Sequence, residues 1–187
     1  CRKRAWRRKR QWLQICKARL NRRWPLRTQA ARLSAACTGR QKYMNCAASE
    51  ASLWACLPVD RRELREVLAV MWELTGYGKG PSVSALELIV TDDAGSEACN
   101  REHLGMSGPT NILSFPLSQQ AGRGGAGGSL LLSAAALRRE SLLYGQDPAE
   151  HAIRLLAHGV AHLAGLEHGP EMWALCARLE KAGLNRL

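Results

Sequence analysis

The stretch "LLAHGVAHLAGLEHG" (residues 155–169) holds three of the chain's five histidines, at the spacing H-x3-H-x5-H. It ends a segment, "DPAEHAIRLLAHGVAHLAG" (147–165), that carries the marks of a capped helix. Asp147 stands as N-cap, Pro148 at the first helical position, Glu150 at the third, and Gly165 just past the end. Ile153, Leu156 and Val160 mark its buried stripe. On such a helix His158 and His162 are four residues apart, so their rings leave the same face one turn apart. Gly165 can take positive φ and reverse the chain, which brings His168 back as a third nitrogen. A lone histidine would be read as a hydrogen-bonded core residue; three in this pattern read as ligands of one metal ion. Three protein ligands leave the fourth tetrahedral position of zinc to water, the layout of a catalytic site. Nitrogen ligands without a thiolate suit zinc best, and other late first-row divalent ions also fit. His103 and His151 stand apart: His151 is two turns before His158, beyond ligating reach. In H-E-x-x-H proteases the glutamate after the first histidine is the general base, and here that place is Gly159, which argues against peptide hydrolysis.

Outward from this segment the chain reads as helices mixed with strands. "DRRELREVLAVMWELTG" (60–76) opens on a capping box of Asp60 and Glu63, with Leu64, Val67, Leu68, Met71 and Trp72 on one face. "ALELIVTDD" (85–93) alternates as a strand should, and "TNILSFPL" (110–117) and "SLLLS" (129–133) are further strands. The last two are joined through "QQAGRGGAGG" (119–128), which lacks a P-loop lysine and reads as a flexible linker. Helices follow at about 134–144 and over "PEMWALCARLEKAG" (170–183). Helices and strands that do not strictly alternate make the class α+β.

The length of 187 residues suits one domain plus an extension, and an apolar share of 46% is that of a globular chain. No run of 18 apolar residues is present, so a spanning helix is excluded. The net charge of +11 is concentrated at one end. Residues 1–49 hold 15 Lys/Arg and no acid, whereas residues 50–187 hold 12 basic and 16 acidic residues. We therefore divide the chain into a basic arm (1–52) and a mildly acidic domain (53–187). Seven cysteines, an odd count without a C-x-x-C pair, favour a reducing interior over a disulfide framework.

The arm begins "CRKRAWRRKRQWLQICKARLNRRWP", which reads as a basic helix with a thin seam of Leu13, Cys16, Leu20 and Trp24, stopped at Pro25. Guanidinium groups for phosphates and three interleaved tryptophans for stacking form an RNA-binding composition. Arg4, Arg7, Arg8, Arg10, Arg19, Arg22 and Arg23 are the candidate phosphate contacts. The alternatives are a solvated helix, a transit remnant, or a helix on an anionic membrane. The first residue is Cys1, so residues upstream are expected, and an Arg-rich, acid-free leader points to a mitochondrion, with a plastid as alternative.

"PTNILSFP" (109–116), followed some forty residues later by "HGVAHLAGLEH" (158–168), resembles the YbeY family of zinc-dependent endoribonucleases of ribosomal RNA maturation. The family pattern is a P-T-(N/D)-V-L-S-F-P strand and an H-G-x-x-H-L-x-G-x-D-H metal segment. The resemblance implies a small mixed β-sheet with flanking helices, a metal cleft beside the sheet, and His158, His162 and His168 as zinc ligands. It also implies ribosomal RNA and the small ribosomal subunit, or an assembly intermediate with its proteins, as partners. The chain departs from the pattern at several polar positions. An arginine six residues before the strand-motif threonine is Leu104 here, with Arg101 the nearest candidate to replace it. An acid three before that threonine is Ser107, a Gly-Asp pair is Gly128-Ser129, and Glu167 replaces an aspartate. Cleavage of a phosphodiester needs stabilisation of the charge that builds on phosphorus, by a metal and by a positioned cation. Two readings follow: an rRNA endoribonuclease, or a catalytically silent assembly factor that keeps the cage and binds without cutting. A membrane-surface hydrolase is a third class, supported only by the arm's tryptophans.

Overall fold

The six residues of strand β3, Gly128–Ser133, are all buried, and the other elements are laid around them. A computed structural model describes residues 50–76, 86–116 and 127–187. The basic helix and RNA-contacting arginines expected in the arm, and most of the glycine-rich linker, lie outside the described residues. β3 runs parallel to β1 (Leu86–Thr91), with Leu88 opposite Leu130, and antiparallel to β2 (Ile112–Pro116), with Ile112 opposite Leu132. The order β1-β3-β2 makes a small mixed sheet, and the α+β expectation holds. A central strand covered on both faces reads as a continuous apolar run, which is what Leu130, Leu131 and Leu132 supply.

Side chains alternate across β3. Leu130 and Leu132 enter the main core, while Leu131 meets Cys99 and Leu113 on the opposite face. The main core is filled by α2 (Arg61–Leu74), α5 (Pro148–Leu163) and α6 (Pro170–Leu184). α2 starts on the expected capping box: Asp60 accepts from the amides of Arg62 and Glu63, and Glu63 accepts from the Asp60 amide. Ten of the sixteen residues of α5 are buried, so it is an interior helix rather than an amphipathic cover. The short helix α1 (Glu50–Ala55) precedes α2, where the Arg61 guanidinium sits 4.3 Å from the Trp54 ring centroid. No described helix is long and apolar enough to cross a membrane.

One long helix has no counterpart in the sequence reading. α3 (Asp93–Leu104) begins where the β1 alternation was expected to continue to residue 93. Asp92 ends the strand by accepting from the Gly95 amide as N-cap. The buried face of α3 is Gly95, Ser96, Cys99 and Asn100, small and mostly polar, so no apolar period announces it. It docks by hydrogen bonds instead. The Ser96 hydroxyl donates to the Thr110 carbonyl at 2.6 Å and accepts from the Thr110 amide at 3.0 Å, and the Asn100 amide donates to the Gly108 carbonyl at 2.8 Å. These bonds fix the approach of the chain to β2. Helix α4 (Ala134–Tyr144) follows β3 without a break, capped by the Ser133 hydroxyl.

Ser96→Ala is expected to lower stability by about 1–2 kcal/mol, because it strips both hydrogen bonds from the half-buried backbone of Thr110. Chemical denaturation checks this; an unchanged midpoint would mean that the helix docks by other means.

Candidate metal centre

The end of α5 builds the site. Ala164 caps the helix and Gly165, at φ +81°, turns the chain back. The amide of Leu166 donates to the Ala161 carbonyl at 3.2 Å and that of Gly165 to the His162 carbonyl at 2.9 Å, the paired bonds of a Schellman motif. This reversal carries the Leu166 carbonyl onto the His162 ring, 3.1 Å from Nδ1. Nδ1–H donates to it, and the lone pair of His162 is therefore left on Nε2. That Nε2 lies 3.2 Å from Nε2 of His158. His168 completes the group, with ring centroids 5.2 Å from His158 and 4.7 Å from His162, and one nitrogen from each ring lies within 4.8 Å of the others.

These residues fit a metal. Two nitrogens at 2.0–2.1 Å from a tetrahedral zinc ion stand about 3.3 Å apart, which is close to the separation already set between His158 and His162. A carbonyl behind the ring of His162 is the outer support that metal-ligating histidines ordinarily have. Electrostatics agree. Burial, reinforced by the neighbouring imidazoles, pushes His158 down to about 3 and His162 down to about 4. His168, the exposed member, is lowered by burial too, against an opposing pull from Glu167. All three are thus neutral near pH 7, the form that binds a metal.

Gly159 lies between the two helical histidines and faces the sheet. A Cβ there would stand 2.7 Å from Leu130 Cδ2, 2.9 Å from Ile112 Cδ1 and 3.3 Å from the Ser114 hydroxyl. The position of a protease's glutamate is here filled by the sheet itself. The Ser114 hydroxyl donates to the Gly159 carbonyl at 3.1 Å and ties β2 to the helix.

The remaining candidates sit elsewhere. Leu104 packs with Cys99, Leu113, Leu131 and Phe115 in an apolar cluster. Arg101 lies on the exposed face of α3, paired with Glu97 one turn back. Ser107 is exposed, and the Ser129 hydroxyl donates to Glu87 on the adjacent strand at 3.0 Å. His103 meets Phe115 edge to face, centroids 5.1 Å apart. His151, fully buried, is 2.9 Å from Glu140 Oε2, and the Asn111 side chain donates to both oxygens of Glu140. Burial pushes the Glu140 carboxyl up, but the bonds from His151 and Asn111 outweigh it and hold the group below the usual carboxylate range. Nothing in the sequence announces this trio, whose members come from two helices and the residue just before β2.

A family model described as "Endoribonuclease YbeY" matches residues 57–186. The Endoribonuclease YbeY of Oleidesulfovibrio alaskensis is 44% identical over 135 residues, which span 62% of this chain and 78% of that protein. That of Nitratidesulfovibrio vulgaris is 42% identical over 145 residues, 68% of this chain and 87% of that protein. Among solved structures, TM1509 from Thermotoga maritima aligns with a TM-score of 0.50 at 17% identity, over 66% of this chain and 81% of its own. That likeness is one of fold.

The depressed histidines set a direction for acid. The unfolded chain takes up protons near pH 6.5 that folded His158 and His162 refuse until about 3 and 4. Their contribution is therefore complete above pH 6.5 and lost as pH falls toward 4. Metal-free protein should lose stability across that window, and a His158→Gln/His162→Gln variant should lose less. Denaturation midpoints of both at pH 7, 5.5 and 4.5 check the difference in slope.

Proposed function

The chain belongs to the YbeY family of endoribonucleases, and within that family we propose that it serves ribosomal RNA maturation as a zinc-dependent endoribonuclease. The observation that carries this reading is the His162 ring, turned by the Leu166 carbonyl so that its Nε2 lone pair faces His158. His158, His162 and His168 would hold the ion. Bound there, zinc supplies Lewis acidity, which stabilises negative charge on a breaking phosphodiester and makes water a stronger acid. The protein's own part is to keep three imidazoles neutral, to fix the tautomer of one of them, and to hold the helix that bears two against β2. Residues 1–52 would anchor the substrate by charge and stacking, on an assembly intermediate of the small subunit of a bacterial-type ribosome. The mitochondrial address belongs to this reading and rests on the composition of residues 1–49.

A second reading has its own observation. Leu104, where the family pattern has an arginine, is engaged in an apolar cluster, and the Arg101 guanidinium is turned to Glu97. Without a positioned cation, roughly 2–4 kcal/mol of transition-state stabilisation is forgone, about two to three decades of rate. A silent assembly factor, with the cage kept as a fold support, follows from that loss.

Purified, zinc-loaded protein incubated with a structured 3′ fragment of small-subunit rRNA separates the two. Cutting that disappears in His162→Ala is the expected result; zinc uptake and RNA binding without cutting would establish the silent factor. Removing residues 1–49 is expected to weaken RNA binding far more than His162→Ala does, and to flatten its salt dependence, because 15 cations leave with it. Equal losses would refute the division between arm and cage.

A further inference from the structure

The trio of buried His151 with half-buried Asn111 and Glu140 is used neither by the cage nor by the strand-to-helix bond at Ser114, yet its bonds lead to both. His151, on α5 two turns before His158, donates from Nε2 to Glu140 on α4. Glu140 accepts from Asn111 Nδ2 with both oxygens, at 3.1 and 3.0 Å. Asn111 in turn accepts the Ile112 amide on its own Oδ1 at 2.8 Å, at the first residue of β2. Three residues beyond Asn111, Ser114 of β2 holds the Gly159 carbonyl beside His158.

The two ties match in span. His151 to Gly159 is eight residues of helix, about 12 Å; Asn111 to Ser114 is three residues of strand, about 10 Å. A helix tied at one point can still turn or slide on its neighbour. Ties at both ends of a matched span remove both freedoms, and the turn and slide of α5 are what decide where the rings of His158 and His162 stand. His151 is a costly residue for a core: its Nδ1 is buried without a hydrogen-bond partner, and an apolar residue of similar volume would leave no such group unpaired. A polar residue in such a place can serve to specify one arrangement over its neighbours.

We propose that Asn111, Glu140 and His151 form a register clamp that positions the imidazoles of His158 and His162, and so sets the metal affinity of the site from two helical turns away. The affinity part rests on the metal reading above. Glu140→Gln is the sharpest change, since it places an N–H₂ where one of two donors needs an acceptor.

The test uses the full chain and cobalt(II) as probe, with Leu179→Ala, a core cavity in α6, as a destabilised control. Glu140→Gln is expected to weaken cobalt binding about tenfold or more and to alter the visible band of the bound ion, as loss of an outer support does, while the control keeps both. In metal-free protein the ring resonances of His158 and His162 should move in Glu140→Gln and stay in place in the control. If Glu140→Gln does not fold, Asn111→Ala, which strips one side of the clamp, takes its place. Unmoved rings and unchanged affinity would overturn the proposal, as would equal effects in the control. A wild-type chain that takes up no cobalt would remove the metal reading alone, and the ring resonances would still decide the clamp.

Discussion

The close approach of α5 to the sheet at Gly159 is the constraint on which the rest depends. A Cβ there would stand 2.7 Å from Leu130 Cδ2 and 2.9 Å from Ile112 Cδ1, so any larger residue must push those core side chains aside, and glycine lets the helix lie this close. From that approach follow the bond from Ser114 to the helix backbone, the seating of α5 over β2 and β3, and the placement of His158 and His162 beside the sheet. A glutamate in this position, the general base of H-E-x-x-H proteases, would have to displace those side chains.

The site is held in a state ready for a cation by opposing terms that are each ordinary. Burial makes a charged imidazole expensive, so His158 and His162 stay neutral. The His162 Nε2 lone pair, fixed there by the Leu166 carbonyl, faces Nε2 of His158 at 3.2 Å. The reversal that presents this carbonyl is a helix terminus satisfying its own backbone bonds. A local rule of helix endings thus also orients the ring.

Much of this was legible in the chain. α2 and α5 announce themselves by caps and apolar spacing, and the grouping of three histidines follows from helical geometry and one glycine. The strands were legible in number and roughly in extent. What was hidden is what hydrogen bonds, rather than apolar faces, hold together. α3 buries Ser96 and Asn100, residues that a hydropathy reading assigns to the surface. Asn111, Glu140 and His151 lie 29 and 11 residues apart and meet only because α4, α5 and the start of β2 converge. The departure at Leu104 could be seen from the family pattern, but not that apolar neighbours had closed around it.

The three ligand candidates are also unequal in exposure. His158 and His162 belong to a buried helix, while His168 stands exposed on the loop beyond the Schellman turn. An ion held here would have two ligands fixed by the core and a third open to solvent, so a competing chelator would reach it from the His168 side.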